Sequence, residues 1–213
     1  MLIFDIDGTL TDTVDVDGEC FQESVRQILG LDLTDEWSSF EQVTDQGITD
    51  ELLSQRTARE RMALGYRLRQ DFFERLGDRA RRSPERFAEI PGAAELLQEL
   101  DERAVDYALA TGGWRPSAEL KLAMARLPAK RLRATSSETS IRIQIFASAA
   151  AGRTNVTLLG DGLWDATVAR RLGWRFVARA APGAKSEALL QAGAEGVVHD
   201  WTELEEGLLF PAP

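Results

Sequence analysis

The chain has 213 residues, 44% of them apolar and 28% charged, with a formal net charge of −10. These are the proportions of a folded globular protein, with room for one substantial domain or for a core carrying a smaller inserted unit. The surplus of acid excludes a general nucleic-acid binder, whose affinity comes mainly from Lys and Arg neutralising phosphates, and no stretch approaches the ~20 apolar residues that span a bilayer. A single cysteine, Cys20, excludes an internal disulfide framework and suits a reducing cytosol. The N-terminal apolar run is broken by Asp5 and Asp7 and has no basic segment before it, unlike a secretory signal, so a cytoplasmic location is expected.

The first predicted element is a short apolar strand, Leu2–Ile6, which runs directly into Asp5-Ile6-Asp7-Gly8-Thr9. Residues 14–86 then carry helical spacing: Phe21, Val25, Ile28 and Leu29 fall on one face, and Leu68, Phe72, Phe73 and Leu76 on another. Cys20 belongs to the first of these patterns and reads as buried filler. No strand pattern interrupts the stretch, so it reads as an all-helical insertion that returns through Arg-Arg-Ser-Pro at 81–84. Its charge is uneven. Residues 1–53 hold fourteen acids and one base, Arg26, whereas residues 54–86 hold ten arginines against five acids. A solvated helix face is the first reading of those arginines, and a positive surface that draws in an anionic substrate is the second.

Beyond the insertion the pattern becomes regular. A helix is predicted over Ala93–Arg103 after Pro91-Gly92, then a strand over Val105–Ala110, a strand over Val156–Leu159, a helix over Asp165–Leu172, and strands over Arg175–Ala178 and Gly196–Val198. Strands alternating with helices predict an α/β protein with a parallel sheet and helices on both faces. In such sheets ligands bind beyond the carboxyl ends of the strands. Three of the predicted strands end in polar clusters: Asp5 to Thr9, then Thr111-Gly112-Gly113, then Gly160-Asp161 through Asp165. One sheet would bring Asp5, Asp7, Asp161 and Asp165 to one edge with Thr111 beside them. Four clustered carboxylates are unfavourable unless a cation compensates them or some take up protons, and an oxygen-rich set of this kind suits Mg²⁺. Each cluster alone reads as caps and turns; three clusters at three strand ends read as a site.

Rival chemistries are poorly supplied. Asp15-Val16-Asp17-Gly18 resembles a calcium loop, but the flanking register holds Thr13 and Ser24 where acidic or amide ligands are needed. Asp12, Asp15, Asp17 and Glu19 are therefore read as a solvated hinge and helix start. His199 is the only histidine and reads as a turn residue, which leaves no Ser-His-Asp triad, and the count of His and Cys excludes a multi-ligand zinc site. Neither a P-loop nor a G-x-G-x-x-G fingerprint occurs. Catalysis must then run on carboxylates. An ionised Asp can attack phosphorus, a second Asp two residues on can manage protons, and Thr111 with nearby backbone N–H groups can hold phosphoryl oxygens. Trp114 and Trp164, beside two of the clusters, read either as pocket walls or as packing between core and helices.

Asp5-Ile6-Asp7-Gly8-Thr9-Leu10 resembles the first motif, D-x-D-G-T, of the haloacid dehalogenase superfamily, and Gly160-Asp161 through Asp165 resembles its fourth, G-D-x-x-x-D. Thr111 at a strand end is similar to the second. The resemblance implies a Rossmann-like core over residues 1–13 and 87–213, with residues 14–86 forming an α-helical cap of the phosphoglycolate phosphatase-like type. It implies that Asp5 is the nucleophile and a Mg²⁺ ligand, and that Asp7 is the general acid/base and offers a backbone carbonyl to the metal. It further implies that Asp161 and Asp165 complete the metal site, Asp165 directly or through water, and that Thr111 and Gly112 hold phosphate. The acid at Asp7 favours phosphoryl transfer over dehalogenation. The third motif departs from the family, because no Lys lies between residues 131 and 184. Arg142 is preferred for its positive charge, with Lys121 as the rival, set on a solvated helix surface; Arg is not geometrically equivalent to Lys. The expected activity is phosphatase action on a small phosphorylated metabolite, without nucleic-acid or membrane partners. The alternatives are a phosphomutase and a non-catalytic binding module on the same scaffold.

Overall fold

The structure is a computed structural model and describes residues 1–209. Its centre is a parallel sheet of six strands: β1 (Leu2–Phe4), β2 (Tyr107–Ala110), β3 (Leu132–Ala134), β4 (Thr157–Gly160), β5 (Arg175–Arg179) and β6 (Gly196–Val198). They lie in the order β3-β2-β1-β4-β5-β6. Strands buried on both faces need apolar residues at every position, and these supply them. Leu2, Phe4, Tyr107 and Leu109 enter the cluster on one face, with Ile3, Ala108, Ala110 and Leu158 on the other. Helices α4 (Ala93–Glu102) and α5 (Arg115–Met124) cover the first face through Leu96, Leu97, Leu100 and Leu122. Helices α6 (Arg142–Ala150), α7 (Leu163–Leu172) and α8 (Ala184–Gln191) cover the second. The predicted Rossmann-like sheet is thus present.

The strand order locates the site. The chain moves outward from β1 to β2 and β3, then returns to pair β4 with the other side of β1. The reversal leaves the carboxyl ends of β1, β2 and β4 adjacent, which is where doubly wound sheets open a crevice for ligands. Strand β3 was not anticipated. It is three residues long, carries the exposed Arg133 at its middle and pairs irregularly at the sheet edge, so its sequence offers too little apolar pattern to read. The first strand ends at Phe4, earlier than expected, because Ile6 O accepts N–H bonds from Thr9, Leu10 and Thr11 at 3.1, 2.8 and 3.0 Å and turns the chain.

Residues 14–87 contain helices and no strand: α1 (Val14–Leu29), α2 (Asp45–Leu52) and α3 (Ala58–Arg82), with 3₁₀ turns at Trp37–Ser39 and Pro84–Phe87. Helix α1 stops at Gly30, whose φ of 69° suits glycine, and α3 starts with a reciprocal Thr57–Glu60 capping box. Their apolar faces meet in a cluster of Phe21, Val25, Leu68, Phe72 and Leu76 that also takes in Trp114. Trp114 is fully buried, 5.6 Å from the Phe72 ring and 6.0 Å from Phe21. It is packing, and each such ring contributes about 1.5–3 kcal/mol by burial. Cys20 is buried in the same cluster, as its spacing suggested, and burial pushes its thiol up to about 12. Three of the ten arginines tie the segment together: Arg75 pairs with Glu23 of α1 and with Asp71 on its own helix, Arg79 with Glu19 and Glu23, and Arg86 with Glu19. Among the described residues no helix is long and apolar enough to cross a membrane.

Candidate active site

Asp5 directly follows β1, and its N–H bonds to Leu159 O at 2.9 Å, which ties the start of the first loop to β4. Gly8 then takes φ +72°, and a Cβ there would collide with the Asp161 carboxylate and press on Val14. The glycine is needed twice, for its backbone and for its lack of a side chain. The turn leaves Asp5 only 4% exposed. One of its oxygens, Oδ2, accepts from Arg142 Nη2 at 3.1 Å, while Oδ1 is buried without a hydrogen-bond partner. Burial pushes the Asp5 carboxyl well above the usual range, and the neighbouring Asp165 charge pushes it further; Arg142 opposes both.

Strand β4 delivers Asp161 and α7 delivers Asp165 one turn later. Asp165 Oδ2 accepts from Gly162 N–H at 3.0 Å, and its Oδ1 accepts from Arg142 Nη2 at 2.7 Å, so both oxygens are engaged. Asp161 is held through Oδ2, which receives Lys185 Nζ at 2.7 Å from α8. Burial raises the Asp161 carboxyl, with Lys185 acting against it. Carboxylate oxygens of Asp5, Asp161 and Asp165 lie within 4.8 Å of one another. This all-oxygen donor set, in which one Asp5 oxygen has no hydrogen-bond partner, fits a hard divalent cation that prefers oxygen ligands. Arg142, expected from the sequence to supply the basic charge, lies among these acids. It opens α6, bonds Asp5 and Asp165, gives Nη1 to Val43 O at 2.8 Å, and lies 5.8 Å from the Trp164 ring centre.

Asp7 sits apart from that trio. Its Oδ1 accepts from Thr13 Oγ1 at 2.6 Å and from Lys121 Nζ at 2.7 Å, and its Oδ2 accepts from the same ammonium at 2.8 Å. Lys121 also bonds Asp17 Oδ1 at 2.6 Å. Two sequence readings are corrected here. Lys121 is wholly buried, where a solvated helix surface was expected, because its face of α5 is turned toward α1 and the first loop. Asp17 is no solvated helix-start residue: it faces the cavity, and burial pushes its carboxyl up to about 6, with Lys121 lowering it and Asp7 raising it. Asp12 and Asp15 are exposed as expected, and so is His199. Asp45, at the start of α2, was missed. Its Oδ2 accepts from Trp114 N–H at 2.8 Å, its own N–H bonds Gly112 O at 2.9 Å, and burial raises its carboxyl well above the ordinary range, with Asp17 adding to the rise.

Thr111 closes the ring of motifs at the end of β2. It is buried, and its Oγ1 accepts from Gly113 N–H at 3.1 Å while keeping its own proton free to donate. Asp5, Asp7, Thr111, Gly112, Arg142 and Asp161 all line one cavity of about 110 Å³. Asp165 lies beneath that lining, with no exposed surface. The cavity's remaining wall comes from the helical segment, and Trp164 joins it. Of the residues that complete the charge pattern, Lys185 and Asp45 carried no readable signal, since an isolated Lys or Asp in a helix's first turn is common.

A search of curated proteins by sequence finds no match. Solved structures do match over nearly the full chain. A hydrolase from Pseudomonas syringae is 24% identical with a TM-score of 0.69, covering 95% of this chain and 94% of its own. A HAD family hydrolase from Deinococcus radiodurans R1 with bound phosphate and sodium is 22% identical, TM-score 0.61, covering 99% and 97%. CbbY from Rhodobacter sphaeroides in complex with xylulose-(1,5)bisphosphate is 21% identical, TM-score 0.68, covering 98% of each chain. At these identities the likeness is one of fold. The family model for haloacid dehalogenase-like hydrolases matches residues 2–179, from the first strand through the fifth, and the chain belongs to that family.

Proposed function

We propose that this chain is a Mg²⁺-dependent phosphatase that hydrolyses a small phosphorylated metabolite through an aspartyl-phosphate at Asp5. The observation that carries the reading is Asp5 Oδ1, a buried acceptor with no hydrogen-bond partner on the wall of the shared cavity. An open buried acceptor is costly unless a ligand takes it up. Bound phosphate in the Deinococcus relative and a bound sugar bisphosphate in the Rhodobacter one support a phosphorylated substrate.

Asp5 and Asp161 would hold the ion with the backbone carbonyl of Asp7. Asp165, whose oxygens serve Arg142 and the Gly162 N–H, would act through water. The ion would draw off phosphoryl charge and screen the nucleophile from it. Asp5 Oδ1 attacks phosphorus, the bond to the alcohol oxygen breaks, and Asp7 gives that oxygen a proton. Water then attacks the same phosphorus and passes its proton to Asp7, which releases inorganic phosphate and restores Asp5. Thr111 Oγ1–H and the Gly112 N–H would hold the phosphoryl oxygens, and Arg142 keeps Asp5 aimed. Residues 14–86 act as the cap over the core of 1–13 and 87–213, and the unpaired, buried Cys20 suits a cytoplasmic setting.

The test is Asp5→Asn, assayed with Mg²⁺ on an aryl phosphate. Turnover should disappear while the circular dichroism spectrum is kept. Full activity, with mass spectrometry excluding deamidation back to Asp, refutes the mechanism. Reading free phosphate against isomerised sugar phosphate in the same assay separates hydrolysis from phosphomutase transfer.

A further inference from the structure

We infer that the alcohol released by this enzyme is small, carries a cationic nitrogen, and has no second anionic group; the inference rests on the phosphatase reading and concerns the leaving-group side of the same cavity. That side is built by Phe21, Trp37, Ile48 and Trp164 together with two carboxylates, Asp17 and Asp45. The hydrogen bonds of the two acids leave Asp17 Oδ2 and Asp45 Oδ1 without a donor among the described residues. Asp45 is also nine-tenths buried, and it lines the cavity. Aromatic faces attract ammonium groups, and desolvation strengthens that attraction. Carboxylate oxygens supply the charge-assisted hydrogen bonds that an N–H⁺ needs.

The charge balance points the same way. Six carboxylates meet at the site, from Asp5, Asp7, Asp17, Asp45, Asp161 and Asp165, against three cations, Lys121, Arg142 and Lys185. With every acid ionised the formal sum is −3; burial and the neighbouring acids raise Asp5 and Asp45, so part of that charge is taken up as protons. A divalent ion brings it to −1, and a phosphate dianion returns it to −3. A leaving group with a carboxylate or a second phosphate deepens that surplus, whereas an ammonium reduces it.

Among the described residues, each cation at the site already has an acidic partner. Lys121 is committed to Asp7 and Asp17, Arg142 to Asp5 and Asp165, and Lys185 to Asp161. Among the described residues Arg142 is the one basic residue on the cavity wall, and none of the arginines of residues 54–86 lines it. The positive surface considered from the sequence is absent from the place where it would select a substrate. By charge, a compound of the phosphoglycolate type is a poor match to this pocket.

The experiment compares three phosphate monoesters of similar size: O-phosphoethanolamine, propyl phosphate and 2-phosphoglycolate. Affinity is measured by calorimetry on the full-length Asp5→Asn chain with Mg²⁺, and kcat/KM by phosphate release from the wild type. We expect phosphoethanolamine to exceed propyl phosphate by about tenfold or more in both measurements, with phosphoglycolate last. In Asp17→Asn the ratio of phosphoethanolamine to propyl phosphate should fall toward one. Phosphoglycolate equal to or better than phosphoethanolamine overturns the inference even if all three are hydrolysed. The expected order of affinities without hydrolysis by the wild type supports the charge preference and overturns the phosphatase reading instead. If the Asn variant does not fold, the wild-type kcat/KM order decides alone.

Discussion

Replacing Lys121 with methionine keeps the aliphatic stem and removes the ammonium. In the folded chain that ammonium lies 2.7 and 2.8 Å from the two oxygens of Asp7 and 2.6 Å from Asp17 Oδ1, with none of its side chain exposed. Taking away one partner of a buried ion pair costs about 3–5 kcal/mol, and the acids left behind, Asp7 and Asp17, lose their shared counter-ion while keeping only 20% and 17% of their side-chain surface exposed. For a chain of this length each kcal/mol moves the melting temperature by about 2–4 °C. The variant should therefore melt roughly 6–20 °C below the wild type at pH 8.

The size of that deficit depends on pH, and its sign follows from Asp17. Burial raises the Asp17 carboxyl to about 6 in the folded chain even though Lys121 lowers it, so loss of Lys121 raises it further. A carboxylate whose folded pKa is raised contributes stability that is fully present below its unfolded pKa and lost as pH rises through the folded one. Proton uptake by Asp17 thus relieves the Met variant earlier than the wild type as pH falls from 8 toward 6. The deficit should shrink over that interval and leave only the loss at Asp7. Thermal melts followed by circular dichroism in EDTA, at pH 8 and pH 6, measure both quantities. A melting temperature within about 2 °C of the wild type at pH 8, or a deficit that grows as pH falls, refutes the reasoning.

The opposite end of the same ion pair should behave differently. Asp17→Asn leaves Lys121 paired with Asp7 and removes a carboxylate that burial disfavours, so the metal-free variant should be at least as stable as the wild type at pH 8. That advantage should vanish by pH 4, where wild-type Asp17 is itself neutral; melts across the range check it, and a large loss at pH 8 contradicts it. Gly8→Ala puts a side chain at φ +72° and against the Asp161 carboxylate. It should cost at least about 1 kcal/mol and raise the Mg²⁺ concentration needed for half-maximal activity. An unchanged Mg²⁺ titration and melting temperature remove Gly8 from the argument.

The parts of the fold that were legible in the sequence are those whose chemistry must be contiguous. Asp5 and Asp7 share one loop, and Asp161 and Asp165 share one helix start, so their spacing survives in one dimension. Apolar runs such as Leu2–Phe4 and Thr157–Gly160 are readable because both sheet faces bury them. Strand β3 is not readable, since Leu132–Ala134 spans a single alternation at a sheet edge. Asp17 and Lys121 are 104 residues apart and become partners only when α1 packs beside α5. Neither helical pattern records which polar position will face the other. Asp45 is harder still: its burial depends on Trp114 N–H and Gly112 O, backbone groups whose direction no side-chain pattern encodes.

The competition between Arg142 and Lys121 for one basic position rested on an assumption that electrostatics does not support. A single cation cannot offset a set of carboxylates that includes Asp5, 4% exposed, and Asp165, with no exposed surface. The structure divides the task by place. Arg142 lies under Asp5 and Asp165, Lys121 under Asp7 and Asp17, and Lys185 beside Asp161. On the proposed mechanism the division also separates two duties, because Asp5 and Asp7 are held by different cations. Arg suits the first place, where two of its nitrogens bridge Asp165 and Asp5 and a third reaches Val43 O. Lys suits the second, where one compact ammonium sits between two carboxylates. The four motif acids therefore draw on three cations, each supplied by a different helix of the core, α5, α6 and α8.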